Sequence, residues 1–220
     1  MPILEMENVR YAYGKHTVLR GTSVQFEQGK MYAILGPSGC GKTTLLSLLG
    51  GLGSPASGQI MYQGEDIEKN GLALHRRSHV AFIFQGYNLI DYLTPVENVA
   101  LTAKQPPLPV LEQLGLTAEE AKRNVLKLSG GQQQRVAIAR ALASDAQVIL
   151  ADEPTGNLDE DTAAEITAIL KDSVHKSGKC VVIVTHSNEL AKEADVVFRL
   201  RKGDLQILDA SEIEQERKKK

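Results

Sequence analysis

The sequence predicts an α/β fold with a mostly parallel central sheet, an N-terminal antiparallel β layer and an inserted helical subdomain, all within one domain of residues 1–220. Three observations predict this fold class. Four short apolar runs resemble buried parallel strands, and helical segments such as 42–50 and 161–177 lie between them. Residues 4–27 alternate and carry glycines, which is typical of antiparallel strands. Residues 86–144 begin rich in proline and become helical, which indicates a separate helical unit.

Each of the four apolar runs is followed at once by residues that can do chemistry. The runs are residues 31–35, 80–84, 148–151 and 180–184. The residues that follow them are Gly36, Gln85, the pair Asp152 and Glu153, and the pair Thr185 and His186. Ligands of open α/β sheets bind beyond the carboxyl ends of the strands. We therefore expect these side chains to meet at one edge of the sheet.

Composition and charge limit the class of protein. The net charge of −2 gives no support for nucleic-acid binding. No apolar run approaches the ~20 residues of a membrane-spanning helix, and no signal peptide is visible, so we expect no direct membrane insertion. The two cysteines lack metal-type spacing and are expected to be reduced thiols. The basic run 217–220 is expected to be a solvated terminus.

A phosphate-binding loop directly follows the predicted strand at residues 31–35. The segment GPSGCGKT at 36–43 fits the G-x-x-x-x-G-K-[ST] pattern, which is typical of P-loop NTPases with a RecA-like core. Its backbone N–H groups would close on the phosphates, Lys42 would reach the β- and γ-phosphates, and the Thr43 hydroxyl would bind Mg²⁺. We expect a nucleotide to be bound here by Gly36, Pro37, Ser38, Gly39, Cys40, Gly41, Lys42, Thr43 and Thr44.

The other strand ends supply the expected catalytic groups. Asp152 would hold Mg²⁺, mostly through water, together with Thr43. Glu153 would orient or deprotonate the attacking water, which needs a carboxylate near the γ-phosphate. His186 could hydrogen-bond the γ-phosphate and the water, and Gln85 could reach Mg²⁺ or the water through its amide oxygen.

A second anion site is indicated by Leu128-Ser129-Gly130-Gly131-Gln132. Ser129 and the two glycines stand just ahead of a predicted helix at 133–143, so their N–H groups and the helix dipole favour a phosphate. One chain with two phosphate sites and one nucleotide suggests that this second site serves the nucleotide of another chain.

These motifs, in this order, resemble the ATP-binding cassette (ABC) ATPases over nearly the whole chain. The remaining matches are a D-loop, Asn157-Leu158-Asp159, and an adenine-stacking aromatic, either Tyr13, which we favour, or Tyr11. The resemblance implies a head-to-tail dimer in which Ser129, Gly130, Gly131 and Gln132 of one copy contact the ATP of the other, and Asp159 couples the two sites. It also implies an integral-membrane permease as partner, which places the chain at the cytoplasmic face of the membrane.

Longer segments around Gln85, Ser129 and Glu153 resemble the bacterial subgroup that partners FtsX/MacB-type permeases. That subgroup includes macrolide, peptide, bacitracin and haem exporters and lipoprotein-release systems. We expect export of haem, a hydrophobic toxin or an antimicrobial peptide. The alternatives are lipoprotein release, a regulatory ATPase acting on a cell-wall hydrolase through an FtsX-like partner, and a soluble ABC protein. The stretch between Gln85 and Ser129 is shorter than the subgroup's, which affects the region expected to contact the permease.

Overall fold

The computed structural model describes residues 1–209 and 212, so the basic run 217–220 lies outside the described residues. Ten strands occur in the described part of the chain. They are β1 (Leu4–Tyr13), β2 (His16–Phe26), β3 (Met31–Leu35), β4 (Ser57–Tyr62), β5 (Glu65–Asp66), β6 (Val80–Ile83), β7 (Val148–Asp152), β8 (Cys180–Thr185), β9 (Val196–Arg201) and β10 (Asp204–Leu208).

The strands form two sheets. The N-terminal sheet is antiparallel with the order β2-β1-β4-β5. The larger sheet has the order β10-β9-β3-β8-β7-β6, in which β10 is antiparallel to β9 and the other neighbours are parallel. The predicted fold class is confirmed, because all four apolar runs lie side by side in the parallel sheet as β3, β8, β7 and β6.

Strand pairing moves the predicted strand ends by one residue. The strand β6 ends at Ile83, before the predicted Phe84, whereas β7 reaches Asp152, which pairs with Val184. The strand β8 reaches Thr185, which pairs with Leu35 of β3. Asp152 and Thr185 are thus part of the sheet, which fixes their backbones more firmly than a loop would.

Helices connect the strands of the larger sheet. They are α1 (Lys42–Leu49), α2 (Ile67–Asn70), α3 (Leu72–Leu74), α4 (Pro95–Ala100), α5 (Pro107–Gln113), α6 (Gly130–Leu142), α7 (Glu160–Ser177) and α8 (Asn188–Lys192). A π-helical turn covers His75–His79, and 3₁₀ turns cover Glu120–Lys122 and Val125–Lys127. Between β6 and β7 the chain contains α4, α5, both 3₁₀ turns and α6, within the range expected to be a helical subdomain.

The helix α6 begins at Gly130, three residues before the predicted start. Ser129 is its N-cap, and Ser129 and Gln132 form a reciprocal capping box. This S-x-x-Q pattern is a sequence signature of a helix start, and it places both glycines inside the first turn.

Apolar side chains cover both faces of the larger sheet. One core cluster joins the N-terminal sheet to α1 and includes Phe26, Leu45 and Leu49. The other packs the opposite face against α6 and α7 and includes Val136 and Leu170. Each fully buried side chain of this size contributes about 1.5–3 kcal/mol relative to an exposed one. The sheet edge between the two clusters is therefore held rigidly. Among the described residues, no helix is both long and apolar enough to cross a membrane.

Candidate functional site

The strand ends of the larger sheet open into one cavity of about 500 Å³. Residues from the N-terminal sheet, the phosphate-binding loop and the ends of β6, β7 and β8 line it together. They are Tyr13, His16, Val18, Ser38, Gly39, Gly41, Lys42, Thr43, Thr44, Gln85, Asp152, Glu153 and His186. Most of the residues expected in the nucleotide site are thus brought together in space.

The phosphate-binding loop joins β3 to α1 through a left-handed backbone. Gly39 and Gly41 have φ angles of 76° and 105°, which glycine adopts at little cost. A Cβ on Gly41 would collide with the Val18 side chain, so this position also needs glycine for space. Lys42 turns back over the loop, and its Nζ donates to the carbonyls of Gly36 at 2.7 Å and Pro37 at 3.2 Å.

Three residues of the loop motif support the loop without lining the cavity. A Cβ on Gly36 would meet both the Cys40 sulfur and the Leu200 carbonyl at 2.7 Å. The Cys40 N–H donates to the Pro37 carbonyl at 3.3 Å, and the Cys40 side chain packs on the core. Gly36, Pro37 and Cys40 therefore shape the loop through backbone and packing contacts.

Asp152 lies at the end of β7 and is only 9% exposed. Burial raises the pKa of its carboxyl group, while a hydrogen bond with the Thr43 side chain and the nearby charge of Lys42 act in the opposite direction. A divalent cation would relieve the cost of burying this charge. The Thr43 and Asp152 oxygens therefore suit Mg²⁺, a hard cation that prefers oxygen ligands.

Glu153 follows Asp152 in a left-handed backbone conformation with φ of 47°, unusual for a residue with a side chain. Its N–H donates to the Val184 carbonyl at 2.9 Å. Its carboxylate oxygen Oε1 lies 2.9 Å from Nδ1 of His186. The Glu153 side chain is 11% exposed and that of His186 is 60% exposed. The nearly buried carboxylate of Glu153 therefore contacts the exposed imidazole of His186 in the cavity.

The aromatic wall of the cavity is formed by Tyr13. Its hydroxyl lies 3.5 Å from that of Thr44, and the residue is 60% exposed. Tyr11 contacts the Tyr13 ring edge to face at 5.1 Å but packs against the core and lines a separate depression. Tyr13 therefore lines the cavity and Tyr11 does not, and the stacking of an adenine on Tyr13 stays a prediction.

Within the described part of the chain, the four signature residues Ser129, Gly130, Gly131 and Gln132 do not line this cavity. The Ser129 hydroxyl accepts from the Gln132 N–H at 3.3 Å, and Gln132 Oε1 accepts from the Ser129 N–H at 3.0 Å. Gln132 also donates to Glu120 at 2.7 Å. The first N–H groups of a helix have no acceptor inside it, so those of Gly130 and Gly131 are available to an anion.

Asp159 of the D-loop caps α7. Its Oδ1 accepts from the Thr162 N–H at 3.0 Å, and this hydrogen bond lowers the pKa of the Asp159 carboxyl group. Leu158 beside it approaches Gly131, since a Cβ on that glycine would lie 3.4 Å from Leu158 Cδ2. The D-loop therefore lies against the signature residues of its own chain.

The structure adds residues that the sequence did not assign. His16 and Val18 of β2 also line the cavity. Their position just after Tyr13, across a tight hairpin, is the sequence signal that could have identified them. Thr185, singled out as a strand-end residue but given no role, donates to Glu153 at 3.0 Å. Gln134 of α6 is buried and donates to the Pro154 carbonyl at 2.8 Å, a contact that no local pattern predicts.

The fold and the cavity define a P-loop nucleotide hydrolase that carries a second phosphate-binding motif. A family model described as ABC transporter matches residues 19–156. YclH of Bacillus subtilis, named an uncharacterized ABC transporter ATP-binding protein, is 42% identical over 94% of this chain and 97% of its own length. The chain belongs to the ABC transporter family as an ATP-binding subunit, and it is an ATPase.

Two further relatives are longer than this chain. PvdT of Pseudomonas fluorescens, named a pyoverdine export ATP-binding/permease protein, is 39% identical over 93% of this chain and 34% of PvdT. MacB 2 of Aeromonas hydrophila, named a macrolide export ATP-binding/permease protein, is 40% identical over 93% of this chain and 34% of MacB 2. The chain therefore spans about a third of these two proteins.

Solved structures of a similar cassette are dimers. The dimeric MJ0796 cassette superposes with a TM-score of 0.86 at 34% identity, over 94% of this chain and 99% of that one. A dimer of the same cassette in a post-hydrolysis state, bound to ADP and Pi, gives a TM-score of 0.84.

Proposed function

We propose that this chain is the ATP-hydrolysing subunit of a bacterial ABC exporter. Two copies bind two Mg-ATP head to tail and drive an FtsX/MacB-type permease. The chain lies at the cytoplasmic face of the membrane through that permease.

One observation carries the proposal, namely that the chain holds two phosphate-binding motifs in different places. Lys42, Gly39 and Gly41 line the cavity, whereas Ser129 and Gly131 lie outside it at the start of α6. The Ser129 oxygen accepts from Gln132, so its own proton remains free to be donated to a phosphate. A nucleotide covered from both sides needs the cavity of one copy and the signature of another.

The cavity residues fit ATP with Mg²⁺. Tyr13 offers a ring to the base, the loop N–H groups and Lys42 face the phosphates, and Thr43, Asp152 and Gln85 offer oxygens to the cation. Bound Mg²⁺ would neutralise charge on the phosphates. Glu153 accepts the proton of the attacking water, and His186 holds the water and the γ-phosphate in place.

The permease is proposed from the relatives. PvdT and MacB 2 are named as combined ATP-binding/permease proteins, and this chain aligns with about a third of the length of each. We therefore propose that this ATP-binding part acts with a permease of the same kind. Both relatives are named for export, which supports an exported cargo such as haem, a hydrophobic toxin or an antimicrobial peptide.

The head-to-tail arrangement can be tested by mixing two inactive variants. Lys42→Ala damages the cavity. Ser129→Asp keeps a good helix cap but brings negative charge to the phosphate. Neither variant alone should hydrolyse ATP, whereas the mixture should recover up to about a quarter of the parent rate, because half of the random dimers contain one intact composite site. A mixture as inactive as its components would contradict the proposal. Co-purification of the chain with a membrane protein, identified by mass spectrometry, tests the permease separately.

A further inference from the structure

The carboxylate of Glu153 makes three contacts with residues at the end of β8. Oε2 accepts from the Thr185 hydroxyl at 3.0 Å and from the His186 N–H at 3.2 Å. Oε1 faces His186 Nδ1 at 2.9 Å. The two donors to Oε2 are a buried hydroxyl and a backbone N–H, whereas the His186 imidazole that faces Oε1 is on an exposed side chain.

Burial, strand pairing and a hydrogen bond fix the position of Thr185. It is fully buried, and its backbone pairs with Leu35, the residue just before the phosphate-binding loop. The Ser187 N–H donates to the Thr185 hydroxyl oxygen at 3.0 Å. With this lone pair engaged, the hydroxyl proton is directed at Glu153.

We propose that Thr185 is a positioning residue for Glu153. Its hydroxyl fixes Oε2 on the sheet side, so that Oε1 is presented to the cavity beside His186. This inference rests on the proposed role of Glu153 as the base, and it explains how a carboxylate on a left-handed backbone turn keeps one orientation. The position of a base relative to its water affects rate strongly, because a displacement of about 1 Å can cost 100-fold.

Removal of the hydroxyl tests the proposal. Thr185→Val and Thr185→Ala lack the donor, and Thr185→Ser retains it. Thr167→Val is a matched control, because Thr167 is also buried and donates its hydroxyl to a carbonyl, that of Ala163, away from the cavity. Turnover rate, KM for ATP, affinity for a fluorescent ATP analogue and Tm are measured for each full-length variant, together with Glu153→Gln and the double variant Glu153→Gln/Thr185→Val.

Both hydroxyl-free variants should lower kcat by about tenfold or more, with KM and analogue affinity within about twofold of the parent. Thr185→Ser and Thr167→Val should stay close to the parent rate. The double variant should be no slower than Glu153→Gln alone, because the hydroxyl acts only through that carboxylate. If Thr185→Val folds poorly, the smaller Thr185→Ala decides the result.

Two results would overturn the inference. One is parental kcat in both hydroxyl-free variants. The other is a loss of kcat that does not depend on the hydroxyl or on the base. Such a loss would also occur in Thr185→Ser, or would come with weaker ATP affinity and a lower Tm. Failure of the proposed function is recognised separately, because Glu153→Gln would then hydrolyse ATP at the parent rate whatever residue stands at position 185.

Discussion

The side-chain amide of Gln134 donates to the carbonyl of Pro154 at 2.8 Å, and Gln134 is only 2% exposed. Gln134 belongs to α6, which begins with the signature glycines, and Pro154 directly follows Glu153. This single hydrogen bond therefore joins the element that would serve a partner's nucleotide to the element that would hydrolyse the chain's own.

Replacement of Gln134 should show how much this hydrogen bond contributes to the free energy of unfolding. Gln134→Leu leaves the Pro154 carbonyl without its donor and should lower the free energy of unfolding by about 1–2 kcal/mol. Gln134→Glu places a carboxylate against a carbonyl in the core and should cost about 3 kcal/mol or more at neutral pH. Urea unfolding of the two variants at about pH 8 measures the difference. If both variants were as stable as the parent protein, Gln134 would make no hydrogen bond that contributes to stability.

Glu153→Gln should reduce ATP turnover by at least about 100-fold, because it removes the base and keeps the shape of the side chain. The phosphate contacts remain, so ATP should stay bound and hold the dimer closed. Turnover assays and size-exclusion chromatography with ATP measure the two effects. Glu112→Gln, an exposed glutamate on α5, is the control and should hydrolyse normally. Hydrolysis by Glu153→Gln at the parent rate would show that another group is the base.

Much of this site was predictable from sequence because apolar strands pair side by side and end at one edge. That single rule brings Gln85, Asp152, Glu153 and His186 to the loop of Lys42, although they lie far apart in the chain. The four-residue capping pattern that begins at Ser129 is also visible in the sequence. The start of α6 was nevertheless predicted three residues too late.

Contacts between distant segments were not predictable in this way. Nothing local to Thr185 or Gln134 indicates which carboxylate or carbonyl each will meet, since the partner is selected by strand register and helix packing. The segment beginning at Thr117 has the T-x-x-E pattern of a helix start but forms only the 3₁₀ turn Glu120–Lys122. Thr117 makes the expected cap hydrogen bonds with Glu120, but the helix does not continue beyond the turn.

Lys42→Ala should weaken ATP binding by about tenfold or more, the usual cost of losing a charged hydrogen bond. The ammonium also spans the carbonyls of Gly36 and Pro37, so its loss can loosen the loop as well. Thermal melting separates the effects: Mg-ATP should raise the Tm of the parent but hardly that of the variant. Lys69→Ala, whose side chain is 79% exposed, should keep the full ATP-dependent rise. A parental ATP affinity in Lys42→Ala would contradict the assigned role.

The paired imidazoles of the π-helical turn should make the fold sensitive to acid. Nδ1 of His75 and Nδ1 of His79 lie 3.2 Å apart, and His75 Nε2 contacts the carbonyl of Leu49 at the end of α1. Burial lowers the pKa of both side chains; Arg76 adds to this at His75, and Glu65 opposes it at His79. The two facing Nδ1 atoms can share one proton but cannot both carry one.

The sign of the pH effect follows from these pKa values. Each imidazole binds its proton at lower pH in the folded chain than in the unfolded chain, so the unfolded chain holds more protons below about pH 6.5. Stability is therefore lost as the pH falls through that value. His79→Gln should reduce the fall in Tm between about pH 7 and pH 5 by roughly 2 °C or more, whereas the exposed His175→Gln should leave the fall unchanged. An equal fall in the parent and in His79→Gln would place the acid sensitivity elsewhere.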